Sequence, residues 1–416
     1  MGILTKYPAF RALWTGQLLS QLGNAVFLIM GLWEIQLHSP FLLSIAGVVM
    51  AVPALLAMVG GVVVDRYDAR RLMLMTDILR GVAVALGIVA LSVPGSLVTV
   101  VIVLLGINSL GAALFSPAES VMIPRLVKET DLAAANGIYS LTYQVSSAVG
   151  SVIGGAAIAA IGVGVVFGID MGSFWLSALG IALMMRVVTA KPRLAPQPGD
   201  VPAPAAAGDG GLLASFRAGL EALRGIPGIM QLLPLVVLVN FAATAAFTML
   251  PYWIHHTLGA DALWYGLISA GWGVGLVAGG ISTGFFARWP LRAPAALTFG
   301  AMALLLGAFA VSTSSPLSGG LLLVAGVANG VGNALTYTVM QRMIPDELRG
   351  RAFGLMMTLF GVATPLGALA AGAFLHILPL YWSWAFSAVV GVALAVALWV
   401  YIPADMGAPQ AVDQTA

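Results

Sequence analysis

Long apolar runs alternate along this chain with short segments that carry nearly all of its charge. A helix needs about 20 apolar residues to cross a hydrocarbon core about 30 Å thick. Runs of that kind are Ala12–Leu37, Phe41–Val64, Leu72–Ser92, Leu97–Ser120, Ala135–Ile161 and Val163–Val187. A second set follows at Ile229–Ile254, Ala262–Ala287, Ala293–Val311, Leu317–Gln341, Ala352–Ile377 and Leu380–Ile402. The pattern predicts an all-α membrane protein of twelve transmembrane helices. Although Lys6 and Arg11 precede the first run, it is too long for a signal-peptide core and lacks a cleavage site. It is expected to stay in the mature protein.

Composition narrows the solvent. Hydrophobic residues make up 60% of the 416 and charged residues 8%, with a mean hydropathy of +1.01. Soluble domains carry about 25% charged residues, so this chain cannot cover itself with a water-facing surface. Its 50 glycines fit a bilayer, where small residues let neighbouring helices approach closely. With no cysteine there is no disulfide framework, no thiolate nucleophile and no thiolate metal site.

The basic residues set the expected orientation. Lys6 and Arg11 precede span 1, and Arg66, Arg70 and Arg71 separate spans 2 and 3. Arg125 and Lys128 follow span 4, and Arg186, Lys191, Arg193, Arg217 and Arg224 lie between spans 6 and 7. Arg288 and Arg292 come after span 8, and Arg342, Arg349 and Arg351 surround the loop before span 11. Only Arg80 falls within a span, and the alternate loops contain no Lys or Arg. The positive-inside rule then puts both termini in the cytoplasm. His38, His255, His256 and His376 fall on the outer side, where solvated loop residues are the expected reading and no metal site is assigned.

Between spans 6 and 7 the composition changes. Lys191–Gly211 holds five prolines among alanines and polar residues and reads as an extended linker. In Leu212–Gly225, Phe216, Leu220 and Leu223 share one helical face and Arg217, Glu221 and Arg224 another. This amphipathic helix suits the cytoplasmic interface. The expected organisation is a six-helix bundle over 1–190, a linker with its helix over 191–228, and a second bundle with a short tail over 229–416. The bundles are expected to be pseudo-symmetric. Ile123-Pro124-Arg125 after span 4 and Ile344-Pro345-Asp346 after span 10 each place Ile-Pro at a helix exit, then charges, then a glycine-bearing restart.

The loop Gly61-Val62-Val63-Val64-Asp65-Arg66-Tyr67-Asp68-Ala69-Arg70-Arg71 resembles the signature loop of the major facilitator superfamily. Asp65 can cap a facing helix, and the arginines can pair with acids on neighbouring spans. Asp77-Ile78-Leu79-Arg80, Phe115-Ser116-Pro117-Ala118, Ala134-Ala135-Asn136, Asp170 with Ser173-Phe174 and Ser177-Ala178, Arg349-Gly350-Arg351 and Pro365-Leu366-Gly367 are similar to the drug:proton antiporter branch. That branch contains macrolide-efflux and siderophore-export proteins. Asp68, standing where the superfamily loop usually has Gly, is a variant that this branch commonly shows. The chain departs from the branch in two places: Gly150-Ser151-Val152-Ile153-Gly154-Gly155 lacks its Pro, and Asn24 replaces an Asp common in relatives.

What the resemblance implies is a monomeric carrier in the bacterial cytoplasmic membrane that exports a bulky amphiphilic compound against protons. Its cytoplasmic latch comprises Gly61, Asp65, Arg66, Arg70 and Arg71. Asp77, Arg80 and Glu119 are expected to join these in one charge network, with substrate contact as the alternative. Charges within spans are costly and so are functional candidates. Glu34, 23 residues after Arg11 and so about 35 Å along the helix, and Asp170, two turns into span 6, are the proton-coupling candidates. A wetted interfacial carboxylate is the alternative for Glu34, and a helix-tethering role beside Ser173 for Asp170. Gln21, Asn24, Tyr143, Gln144, Asn240, Asn329, Asn333 and Tyr337 are the substrate-cavity candidates, with helix–helix hydrogen bonding as the alternative for each.

No phosphate-binding loop ending in Lys-Ser/Thr is present, and no loop can house an enzyme domain. Neither a catalytic activity nor a cofactor, metal or nucleic-acid partner is expected. Lipid flipping or solute uptake on the same fold remains the alternative within transport, whereas a transport-dead sensor fits poorly with an intact latch loop. The orientation is testable. Protease added to sealed right-side-out vesicles is expected to spare the Lys191–Gly211 linker and to cut it in inverted ones. Cutting in the right-side-out vesicles contradicts the assignment.

Overall fold

A computed structural model describes residues 2–187, 217, 219–221, 223, 224, 226, 228–404 and 406, with the side chains of 54–66, 159, 287, 288 and 374–376 outside that description. The predicted linker, Lys191–Gly211, lies outside the described residues, as does Phe216. Every extended element among the described residues is a helix: α1 Gly2–Lys6, α2 Pro8–His38, α3 Pro40–Arg66, α4 Ala69–Ala90, α5 Leu97–Leu126, α6 Glu129–Ala160 and α7 Val163–Val187. The series continues with α8 Ile229–Thr248, α9 Leu250–His256, α10 Ala262–Ser282, α11 Arg292–Val311, α12 Ser315–Met343, α13 Asp346–Ile377 and α14 Tyr381–Tyr401. Among the described residues, eleven helices are long and apolar enough to cross a membrane. The remaining predicted span is α3, 27 residues long. All twelve predicted spans are therefore helical.

Helix ends differ from the apolar runs where charge begins. α5 runs on past Ser120 and Pro124 to Leu126, and α6 and α13 start at Glu129 and Asp346, six residues before their apolar runs. Glu129 with Asp131, and Asp346 with Glu347, lie in first turns where acids complement the helix dipole. Hydrogen bonding carries a helix beyond the hydrocarbon that its apolar residues measure. Span 7 behaves differently. It breaks at Met249 into α8 and α9, because Pro251 cannot donate to the preceding turn. The α6–α7 connection turns on Gly162 (φ 79°), whose amide bonds back to the Ala157 carbonyl.

By contact the described residues form two units, one from Met1–Ala206 and Met249–Ala270, the other from Ala207–Thr248 and Gly271–Ala416. In the first, α2 packs on α6 and α7, α3 on α5, and α4 on α5 and α7. In the second, α8 packs on α13 and α14, α11 on α12 and α14, and the glycine face of α10 on α12. These pairings correspond one to one in chain order. They are the repeat that the two Ile-Pro loops foreshadow.

The amphipathic segment before α8 is helical at each described residue from Arg217 to Arg224. Leu223 is fully buried and Leu220 partly so, against Ile229, Met340, Ile344 and Leu355. Its apolar face therefore rests on protein in the second unit, while Arg217, Glu221 and Arg224 stay exposed.

The second unit also shows why the chain needs its glycines. A Cβ on Gly326 would come within 2.5 Å of the Trp272 carbonyl oxygen. Cβ atoms on Gly275, Gly279 and Gly330 would collide with the carbonyls of Leu323, Val327 and Leu276. α10 and α12 thus touch backbone to backbone, the packing mode that membranes favour. Gly279→Ala is expected to destabilise the purified protein by about 1–3 kcal/mol in detergent melting. Gly280→Ala, whose Cβ meets nothing within 4 Å, is expected to cost nothing.

Candidate functional site

Small residues bring α2 and α7 together. A Cβ on Gly16 would stand 2.9 Å from Ser177 Cα, one on Gly180 2.6 Å from the Ala12 carbonyl oxygen, and one on Gly23 would strike Ser173. The close approach lets Gln17 Nε2 donate to Ser177 Oγ at 2.8 Å, and Ser177 Oγ donates in turn to Asp77 Oδ2 at 2.6 Å. A polar chain therefore joins α2, α7 and α4 in the interior of the first unit.

Arg80 sits beside it, 11 residues into α4 and so about 16 Å from the helix start. Its Nη1 lies 3.5 Å from Asp77 Oδ1, and Nη2 donates to the Asn108 backbone carbonyl at 2.8 Å. The guanidinium packs on the Phe174 ring, 5.4 Å from its centroid, and fills the space left by the absent side chain of Gly111. Asp170 is fully buried on α7, facing Arg80 and the Asn108 side chain. Glu119 of α5 adjoins Asp77, with Tyr139 of α6 next to it. Glu119 Oε1 and the Tyr139 hydroxyl are buried without hydrogen-bond partners. Two carboxyls, Asp77 and Asp170, thus flank one guanidinium in an apolar bundle, with a third, Glu119, beside Asp77. An unpaired buried charge costs several kcal/mol, so ionising all three acids together is strongly unfavourable.

This arrangement redraws the expected charge network. Arg70 is held by Asp68 at 2.8 Å, and the Asp68 carboxylate also accepts from the Arg70 backbone amide at 3.0 Å. The residue that caps α4 is therefore Asp68, at the position where the family loop usually has Gly. Hydrogen bonds from Arg70 hold the Asp68 carboxyl below the usual carboxylate range. Asp77 and Arg80 lie seven and ten residues beyond Arg70, about 10 and 15 Å along the helix, too deep to share one network with it. Arg71 is exposed. The side chains of Gly61, Asp65 and Arg66 lie outside the described residues.

Glu34 is half-buried on α2, and its carbonyl oxygen lies 3.0 Å from His38 Nδ1. Neighbouring Trp33 is buried against Tyr265, with stacked rings 6.0 Å apart, and against His255 at 5.5 Å. The tethering alternative for Asp170 takes a particular form. Ser173 Oγ donates to the Asp170 backbone carbonyl at 2.8 Å and not to its carboxylate.

Among the cavity candidates of the first unit, Gln21, Asn24 and Gln144 are half-buried and Tyr143 is exposed. In the second, Asn329 Nδ2 lies 3.2 Å from Met302 Sδ on α11, and Asn333 Nδ2 donates to Asn329 Oδ1 at 2.9 Å. Asn240 donates to the Val236 carbonyl at 2.9 Å, and the exposed Tyr337 ring lies 5.0 Å from Phe353. Interhelical contact thus accounts for Asn329, while Asn333 and Tyr337 remain exposed. Gln17, Asn108 and Tyr139 complete the Arg80 cluster and were not singled out from the sequence. Their signal is a polar residue isolated within an apolar run, matched on α7 by Asp170, Ser173 and Ser177 at helical spacing.

Known proteins share this design along nearly its whole length. A family model described as Major Facilitator Superfamily matches residues 13–363 and 295–415. The multidrug efflux pump Tap of Mycobacterium tuberculosis is 28% identical over 383 residues, covering 88% of this chain and 86% of Tap. Macrolide efflux protein A of Streptococcus pyogenes is 24% identical over 382 residues, 88% of this chain and 89% of that protein. The crystal structure of a bacterial homologue of the iron transporter ferroportin, in its inward-facing state, superposes with a TM-score of 0.65 at 16% identity. It covers 94% of this chain and 98% of the other.

Proposed function

The chain belongs to the Major Facilitator Superfamily, and on that premise we propose that it is a secondary active exporter of bulky amphiphilic compounds. The substrate class is drug-like, macrolide-like or siderophore-like, moved by alternating access and driven by proton antiport. The observation that carries this reading is the coverage of the efflux relatives. The similarity to Tap and to macrolide efflux protein A runs through both sets of spans. Proton antiport draws support from titratable groups kept within spans at the expense of stability. Glu34 and Asp170 are the coupling carboxyls we propose.

The proposed substrate-facing residues are Gln21, Asn24, Tyr143 and Gln144, then Asn240, Asn329, Asn333 and Tyr337. Scattered amides and aromatics suit a large amphiphile better than a sugar, which needs dense hydrogen-bonding partners. Gly61, Asp65, Arg66, Arg70 and Arg71 act as the cytoplasmic latch, and Asp68 fixes the start of α4 beside them. The carrier works as a monomer in the bacterial cytoplasmic membrane with both termini inside, its six-helix bundles at 1–190 and 229–416 joined by the segment 191–228.

Accumulation of radiolabelled erythromycin and of ethidium, in cells carrying or lacking the protein, tests the reading. Lower accumulation in carrying cells, restored by a protonophore, is expected for at least one probe. Equal or higher accumulation of both probes contradicts export. Exclusion that survives the protonophore contradicts proton coupling. In the same cells, Glu34→Gln or Asp170→Asn is expected to abolish uphill exclusion.

A further inference from the structure

The interior of the first unit holds a group of titratable side chains that exceeds what helix packing requires. A purely structural pair would match one carboxylate to one guanidinium and close every hydrogen bond. Here Asp77 and Asp170 flank Arg80, Glu119 adjoins Asp77, and Asp77 Oδ1, Glu119 Oε1 and Arg80 Nε make no hydrogen bond. Four helices contribute: α4 gives Asp77 and Arg80, α5 gives Asn108 and Glu119, α6 gives Tyr139, and α7 gives Asp170, Ser173 and Ser177. α2 offers the uncharged Gln17. Burial of this many partly bonded groups is expensive wherever it is only structural.

We propose that this cluster holds the coupling proton, and that the Gln17–Ser177–Asp77 chain reports its occupancy to α2. The inference rests on the proton-antiport reading and names its site. One proton added to the group leaves two carboxylates to one guanidinium, and a second leaves one to one. Arg80 is the fixed positive charge among acids that exchange protons.

The chain to α2 has a direction that depends on the proton. With Asp77 ionised, Ser177 donates to it and accepts from the Gln17 NH₂ group. A proton on Asp77 Oδ2 makes the carboxyl a donor to Ser177 Oγ and frees the Ser177 hydroxyl hydrogen to turn toward Gln17. Gln17 accepts that hydrogen by turning its carbonyl oxygen where its NH₂ had been. No bond other than the hydrogen bonds changes, and the proton count balances at the single proton taken up. Gln21, Asn24 and Glu34 lie further along the same helix as Gln17. Occupancy of the cluster thereby acts on the helix that carries three of the proposed transport residues.

Infrared difference spectroscopy on the purified full chain in lipid, titrated across about pH 4 to about pH 9, tests this without any substrate. The wild type is expected to lose protonated-carboxyl absorption as pH rises, and Asp77→Asn, Asp170→Asn and Glu119→Gln each to remove one carboxyl's share of it. Asp170→Glu is expected to restore the absorption at a displaced frequency. A side-chain amide band is expected to shift in the same step and to be missing from Gln17→Leu. Carboxyl absorption equal in the wild type and all three variants overturns the proposal, as does an amide band that does not move. If the cluster titrates as expected while probe exclusion is unaffected by a protonophore, the antiport reading falls and the proton site stands. If exclusion is proton-driven while the three variants titrate like the wild type, only the site assignment falls.

Discussion

A guanidinium in the middle of an apolar helical bundle has to be paid for by everything packed around it. Arg80 is almost fully buried within a membrane-spanning helix, so its charge must be met by carboxylates and its N–H groups by oxygens. One requirement accounts for much of the first unit. Asp77 stands one turn away on the same helix, the Asn108 carbonyl accepts from one side, and Phe174 offers its ring face. Gly111 has to be glycine because the guanidinium occupies the place of its side chain. Asp170 beside Arg80 and Glu119 beside Asp77 then exceed the one carboxylate that a matched pair requires.

Close helix contact is the second condition, and it is what the glycines supply. Gln17 can reach Ser177 only because Gly16, Gly23 and Gly180 let α2 and α7 meet without intervening side chains. In the second unit, the α10–α12 seam does the same where no charge is involved. Membrane helices gain little from apolar burial among lipid tails, so contact geometry and interhelical hydrogen bonds must hold them together. The two units use that device for different ends. In the first it brings polar groups within bonding distance, and in the second it gives backbone contact alone.

The sequence made the twelve helices and the repeat legible, because bilayer thickness sets run length and the pairing order repeats from one unit to the other. Helix ends were less legible. At Glu129 and Asp346 the helix follows its hydrogen bonds and its dipole past the apolar run, and at Met249 a proline breaks a run that hydropathy reads as continuous. Asp77, Arg80, Glu119 and Asp170 stood out as charges within spans, but their partners did not. Spacing along α4 does not reveal that α7 and α5 bring Asp170, Ser177 and Asn108 to the same point. That proximity is a tertiary fact. The capping role of Asp68 likewise follows from backbone geometry at the start of α4, which residue identity leaves open.

In the proposed cycle substrate moves out as protons move in, through a carrier whose first unit stores the proton. Proteoliposomes holding a pH-sensitive dye, with purified protein and an imposed gradient of an exported probe, measure this directly. Probe flowing down its gradient is expected to drive protons the opposite way with no imposed pH difference, and the proton signal is expected to vanish in Asp170→Asn. Probe flux unaccompanied by proton movement in the wild type would contradict the account.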